Sequence, residues 1–193
     1  MVDPVGCAAD LSECCLNVFA SVEIGSASDR WSFGVAKTVF YSFYYKRDVH
    51  RVQLVRNLNA LEGQPVLNAQ EWEQVKGRGP AAVQTWIDDK MKYKKAMIVL
   101  IGQETANRPW VRYEIEKAWQ DRKPLLGVRI HGLSSMGSVD RPGANPFETA
   151  NVGSGIPVFD PTQHNGFGRI DSQATYANLR QNLEFWSGRG VVR

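Results

Sequence analysis

The residues best suited to chemistry in this 193-residue sequence lie on one predicted helix, Trp110-Val-Arg-Tyr-Glu-Ile-Glu116. Trp110 and Glu114 are four apart and therefore stack on one helix face. Val111, Ile115 and Ala118 form the adjoining apolar face, which places Glu114 at the border of the core. A carboxylate beside an indole, near strand ends and under a basic surface, can stabilise a developing positive charge. The plainer reading is a surface glutamate paired with Lys117 or Lys95, a common and weak arrangement. Glu116 on the same helix fits that plainer description well.

Other chemistries lack their residues. No Gly-x-x-x-x-Gly-Lys-Ser/Thr is present, which excludes a P-loop nucleotide hydrolase. Gly77-Arg-Gly and Gly166-Phe-Gly do not follow predicted strands, so they read as turns and not as dinucleotide fingerprints. There is no Gly-x-Ser-x-Gly elbow. His50, His131 and His164 lie far apart from one another and from Cys7, Cys14 and Cys15, and nothing has zinc-ligand spacing, so no metal is expected. A phosphoacceptor domain would need acidic residues after the first strand, where Ser42-Phe-Tyr-Tyr stands, and an Asp ending the central one, where Gly102-Gln stands.

The elements that must position Glu114 follow from hydrophobic patterning. Thr38-Val-Phe-Tyr-Ser-Phe43 is a β-branched and aromatic run, hence a buried strand. A helix is expected over 47–61, with Val49, Val52, Leu54, Val55 and Leu58 apolar. A polar stretch at 64–79 holds Trp72, and Pro80 opens a second helix through about residue 93. Ala96-Met-Ile-Val-Leu-Ile101 is continuous and apolar, the mark of a central strand buried on both faces. The Trp110 helix is expected over 108–121 with Pro109 in its first turn. A strand at 125–130, a long loop at 131–155, a short strand at 156–159 and a helix at 175–186 complete the pattern. Strands alternating with helices predict an α/β domain with a parallel sheet. Ligands of such sheets sit at the carboxyl ends of the strands, which directs attention to 43–48, 102–108 and the segment from His131 onward.

Composition sets the bounds. The chain is 43% hydrophobic with a net charge of +3, which argues for a folded chain with a real core. No run of about 18 apolar residues exists, so no transmembrane helix is expected, and no basic segment precedes an apolar run as in a secretory signal. Adjacent Cys14-Cys15 makes a poor disulfide framework, so reduced thiols in a cytoplasmic protein are expected. The charge is unevenly spread. Residues 1–36 carry Asp3, Asp10, Glu13, Glu23 and Asp29 against Arg30 alone, a net −4, which leaves +7 on residues 37–193. The acidic 1–36 segment reads as an extension with one short amphipathic helix, opened by the capping box Asp10-Leu-Ser-Glu13, and 37–193 as the main domain. The basic body suits an anionic ligand. A nucleic-acid-binding reading lacks an aromatic-basic stripe or motif.

Lys37-Thr-Val-Phe-Tyr-Ser-Phe43, Val99-Leu-Ile-Gly102 and Trp110-Val-Arg-Tyr-Glu114 together resemble a bacterial Toll/interleukin-1 receptor (TIR)-like domain, in particular the TIR-like proteins of Thoeris anti-phage defence. The Trp-x-x-x-Glu element is similar to the helix that carries the catalytic glutamate in NAD-consuming TIR domains. Tyr45-Lys-Arg-Asp48, Val55-Arg-Asn57, Asn107-Arg-Pro-Trp110 and Gly143-Ala-Asn-Pro-Phe147 extend the likeness over most of 37–160, while 160–193 match loosely. The resemblance implies a flavodoxin-like (TIR-type) three-layer α/β sandwich with about five mostly parallel strands. It implies NAD+ as substrate, with no separate cofactor, cleaved between nicotinamide and ribose to give a cyclic or otherwise modified ADP-ribose signal. That signal would act on a separate effector protein. Glu114 would be catalytic, and homo-oligomers are compatible with the family. A non-catalytic TIR-like adaptor is the alternative.

The resemblance also assigns substrate-binding roles. Ser42, Phe43 and Tyr44 end the first strand where family members contact nicotinamide and the adjoining ribose, although closing the core would equally explain them. Lys46 and Arg47 could pair with pyrophosphate or form a solvated helix start. Trp72 could stack on adenine or on a neighbouring subunit, or belong to a small satellite core. Trp110 is assigned to the site by its spacing from Glu114. The stretches 64–79 and 131–155 are candidate lids, and Asn145-Pro-Phe147 reads as loop architecture.

Overall fold

A computed structural model describes residues 38–58, 60–61 and 74–193. The 1–36 segment with its capping box, Trp72 and most of the 64–79 stretch lie outside the described residues.

The described elements are β1 (Val39–Ser42), α1 (Tyr45–Arg56), α2 (Pro80–Lys92), β2 (Ala96–Ile101), α3 (Pro109–Gln120), β3 (Leu125–Arg129), β4 (Val158–Phe159) and α4 (Ser172–Ser187). Pro80 and Pro109 each open a helix, where a missing N–H costs nothing and the fixed φ favours the first turn. Asp171 caps α4 by accepting from the backbone N–H groups of Gln173 and Ala174. Residues 105–107 and 146–148 form two 3-10 turns.

Among the described residues the sheet has four strands in the order β1-β2-β3-β4, every pair parallel. The count of about five implied by the resemblance is not reached within them. All six β2 residues are buried, so both faces of the sheet are covered by helices and loops, as a central parallel strand requires. This is a flavodoxin-like α/β fold. Phe40, Met97, Ile98, Leu100, Leu126, Ile115 and Ile87 are among the fully buried core residues. On the far edge Trp186 of α4 stacks on Phe159 of β4, with ring centroids 5.1 Å apart. The C-terminal Val191 pairs back with Leu125.

Element boundaries differ from the sequence pattern at α1, which runs 45–56 and not 47–61, and at the last strand, which is only two residues long. The long loop after β3 is tied down at several points. Arg129 donates to the Gly143 carbonyl at 2.7 Å, and Asn145 accepts from the backbone N–H of Phe147. Phe147 in turn packs against Gly127, where a Cβ would lie 2.9 Å from its ring. The Asn145-Pro-Phe147 motif is therefore loop architecture. Gly143 is equally constrained, because an added Cβ would fall 2.1 Å from the Gly102 carbonyl oxygen. We expect Gly143→Ala to lower Tm by several degrees, about 1–3 kcal/mol of overpacking, measurable by thermal melting monitored by circular dichroism.

Candidate active site

β1 delivers its last residue, Ser42, to the carboxyl edge of the sheet beside α3. The Ser42 hydroxyl donates to Glu114 Oε2 at 2.7 Å, linking residues 72 apart in sequence. Both side chains have no exposed surface. Glu114 thus lies deeper than the core border its spacing indicated. Val111, Ile115 and Ala118 turn α3 toward the sheet, and the strand end supplies a hydroxyl that satisfies the carboxylate there. Pairing with Lys117 is not observed, since Lys117 bridges Asp121. Glu116 accepts from the Asn151 backbone N–H at 3.0 Å.

The other candidates divide by position. Trp110 is half-buried one turn before Glu114, its indole edge-on to Tyr113 with centroids 6.0 Å apart. Phe43 and Tyr44 are buried where β1 leads into α1, and the Tyr44 ring carries the Arg108 guanidinium 3.8 Å from its centroid. Lys46 is exposed on the first turn of α1. Arg47 faces the loops after β2 and β3. Its guanidinium binds Asp140 through two contacts at 3.0 and 3.1 Å, Glu104 at 2.9 Å and Gln103 at 3.1 Å. Ser42, Phe43, Tyr44, Arg47, Trp110 and Glu114 therefore gather at the carboxyl ends of β1 and β2. Trp72 lies outside the described residues. Among those residues no group of His, Cys, Asp and Glu is arranged to hold a metal ion, and no helix is long and apolar enough to cross a membrane.

Buried ion pairs that the sequence pattern does not reveal accompany these residues. Asp48 has no exposed surface, and Arg51, one turn on, is 2% exposed. Arg51 donates to Asp48 Oδ1 at 3.2 Å and to the Leu133 carbonyl at 2.9 Å, and its terminal nitrogen lies 3.0 Å from Asp140 Oδ2. Two arginines of α1 thus clamp the loop after β3 through Asp140. The available signal was the placement of Asp48 and Arg51 three apart on a helix whose buried side also carries Val52 and Val55. Asp48 Oδ2 is buried without a hydrogen-bond partner and packs against Gly102.

Burial pushes the Asp48 carboxyl up to about 6, with Arg51 opposing and the Asp140 charge adding to the rise. The hydrogen bond from Arg47 holds Asp140 below the usual carboxylate range. Folded Asp48 binds its proton more tightly than the unfolded group, whose ordinary value is 3.8. Its stabilising effect is complete below that value and is lost as pH rises through about 6. Asp140 works in the opposite sense, its contribution being lost only as pH falls below the ordinary carboxylate range. Asp48→Asn should therefore remove a decline in Tm between about pH 4 and 6, read as the difference between variant and wild-type Tm across that window.

The comparisons with known proteins fall on this part of the chain. The family model described as the TIR-like domain of the Thoeris protein ThsB matches residues 40–135. These residues are similar to a ThsB-type TIR-like domain. The match contains β1 from Phe40 onward, α1, β2, α3 with Glu114, β3 and the first residues of the following loop. A protein of Bacillus cereus (strain MSX-D12), provisionally named cyclic ADP-D-ribose synthase ThsB1, is 35% identical over 121 residues. That alignment covers 59% of this chain and 62% of the relative, so the chain spans less than two thirds of the relative's length.

Proposed function

We propose that this chain cleaves the bond between nicotinamide and ribose in NAD+. The remaining ADP-ribosyl unit would become a cyclic or otherwise modified ADP-ribose signal for a separate effector in antiviral defence. The observation that carries this reading is a buried glutamate in a Trp-x-x-x-Glu setting, hydrogen-bonded by the last residue of β1 at the carboxyl end of a parallel sheet. The ThsB-type domain and the name of the B. cereus relative support it.

The chemistry asks little of the protein in acid–base terms. Nicotinamide leaves from a cationic pyridinium, so no general acid is required. The transition state develops oxocarbenium character on the ribose. Glu114 would stabilise that charge and hold ribose hydroxyls, and Ser42 would fix the carboxylate beforehand. A dry, low-dielectric setting strengthens the interaction. Attack on the oxocarbenium centre by a group of the substrate itself gives a cyclic product, whereas attack by water gives ADP-ribose, so exclusion of water selects the product. Because Glu114 has no exposed surface, substrate entry requires the residues over it to move, and turnover becomes conditional on that opening.

The same burial is the observation that favours the adaptor alternative, in which Glu114 and Ser42 only brace the fold. Chromatography with mass spectrometry of NAD+ reaction products, with and without phage-infected lysate, separates the readings. Release of nicotinamide with a product of ADP-ribose mass less water supports a cyclase, and ADP-ribose itself supports hydrolysis. No nicotinamide under either condition supports the adaptor.

A further inference from the structure

The end of the sheet opposite Glu114 gathers positive charge. Several stretches of chain meet there, around the first residues of β1, β2 and β3. The Lys95 backbone N–H donates to the Thr38 carbonyl at 3.0 Å, and the Met97 N–H donates to the Pro124 carbonyl at 2.9 Å. The Lys123 ammonium donates to the Lys94 carbonyl at 2.6 Å, and Val191 pairs with Leu125. These bonds bring Lys92, Lys94, Lys95, Arg122, Lys123 and Arg189 to one edge. The neighbouring Asp121 is bound by Lys117. Burial, and after it the charge of Lys90, hold Lys94 below the usual lysine range, and burial does the same to Lys123.

Apolar surface lies among these cations. Tyr93 is 70% exposed, with the Lys92 ammonium 5.5 Å from its ring centroid. Phe185, in the last turn of α4, is 58% exposed, with the Arg189 guanidinium 4.2 Å from its ring. Lys92 and Lys117 offset the partial negative charge at the ends of α2 and α3. Lys94 and Lys95 lie beyond α2, in the turn that leads into β2. Exposed rings flanked by cations suit a partner that is both acidic and amphipathic.

The sequence contains such a segment. Residues 1–36 carry a net −4, against +7 on the remainder. Within them Leu11, Cys14, Cys15, Val18, Phe19 and Val22 recur at helical spacing, accompanied by Asp10, Glu13 and Glu23. The segment joins the domain at this same edge, because β1 starts at Val39 and Thr38 is the residue bonded to Lys95. Asp29 stands nine residues before Thr38, a span of at most about 30 Å. So short a tether keeps the acidic residues concentrated around the lysines.

We propose that the acidic 1–36 segment docks on the lysine-rich edge at the starts of β2 and β3. Its carboxylates meet Lys92, Lys94, Lys95 and Lys123, and its apolar positions cover Tyr93. The inference is independent of the reading of Glu114, which lies toward the other end of the strands. The contact rests on several exposed ion pairs, each weak alone, so salt should loosen it.

The test is carbodiimide coupling of the full chain, which joins carboxylates and amines in contact without a spacer, followed by mass spectrometry of the peptides. An equal mixture of isotope-labelled and unlabelled chains separates links within one molecule from links between two. Links from Asp10, Glu13 and Glu23 to Lys92, Lys94, Lys95 or Lys123 within one chain are expected, in excess of links to Lys46 at the opposite end of the sheet. In about 1 M NaCl, where the screening length is about 3 Å, they should fall at least about threefold. Lys92 and Lys95 are exposed, so Lys92→Glu with Lys95→Glu should leave the melting curve unchanged. That pair should lower the links at the remaining Lys94 and Lys123 by at least about threefold, through the reversal of two exposed charges. Adding Glu13→Lys and Glu23→Lys should restore coupling, now between the introduced amines and the introduced carboxylates. Links spread evenly over Lys46 and the edge lysines, links formed only between labelled and unlabelled chains, or no links from Asp10, Glu13 and Glu23 would each overturn the proposal.

Discussion

Glu114→Gln should reduce nicotinamide release from NAD+ by at least about 10²–10³-fold, the usual cost of deleting one preorganised electrostatic group, while leaving the fold unchanged. Glutamine keeps the side-chain volume and an oxygen that can accept the Ser42 hydroxyl 2.7 Å away. What disappears is the negative charge opposite a developing cation. Because nicotinamide departs without protonation, no other group on the protein can substitute for that charge by donating a proton. The loss should therefore persist at every pH at which the protein is folded. Chromatographic quantification of nicotinamide, alongside thermal melting of both proteins, measures the two halves of the expectation. A variant that still turns over within about threefold of wild type would remove Glu114 from the chemistry.

The sequence was most informative where one residue type had one physical meaning. The apolar run at β2 could only be a central strand, and Pro80 and Pro109 opened helices where they stood. Glu114 was legible as a candidate site residue because a carboxylate at helical spacing from Trp110, bordering an apolar stripe, is a local pattern. Its hydrogen bond to Ser42 was not, since 72 residues separate the partners and only the β1–β2 pairing and the packing of α3 bring them together. Arg47 shows the same limit from the other side. As a residue type it reads as a phosphate ligand, but whether its partner is a phosphate or a carboxylate depends on where the loops after β2 and β3 return. Glu104 and Asp140 lie 57 and 93 residues away. The Asp48–Arg51 pair was invisible for a different reason, because charged residues at the start of a helix ordinarily face solvent. Here the return of the 131–140 loop buries them.

That buried pair gives the largest stability effect expected in the chain. Arg51→Met fills the same space with apolar atoms but leaves Asp48 sealed in the core without its guanidinium partner, and strips one contact from Asp140 and one from the Leu133 carbonyl. Removing one partner of a buried pair costs about 3–5 kcal/mol, which for a domain of this size lowers Tm by roughly 6–20 °C. Asp48 distinguishes this from simple loss of packing. Its carboxyl already sits near 6 with Arg51 in place, so without Arg51 it holds its proton to still higher pH, and a protonated Asp48 no longer needs a cation. The penalty should accordingly be largest at about pH 7.5 and smaller at pH 5, where the carboxyl is neutral in the folded state. Asp48→Asn placed on Arg51→Met should recover part of the loss at pH 7.5 and almost none at pH 5, a coupling that a double-mutant cycle of melting curves at the two pH values reads directly. If the Arg51→Met penalty were the same at both pH values and unaffected by Asp48→Asn, the clamp would be held by the backbone contacts to Leu133 and Ser138, and the charge on Asp48 would have no part in it.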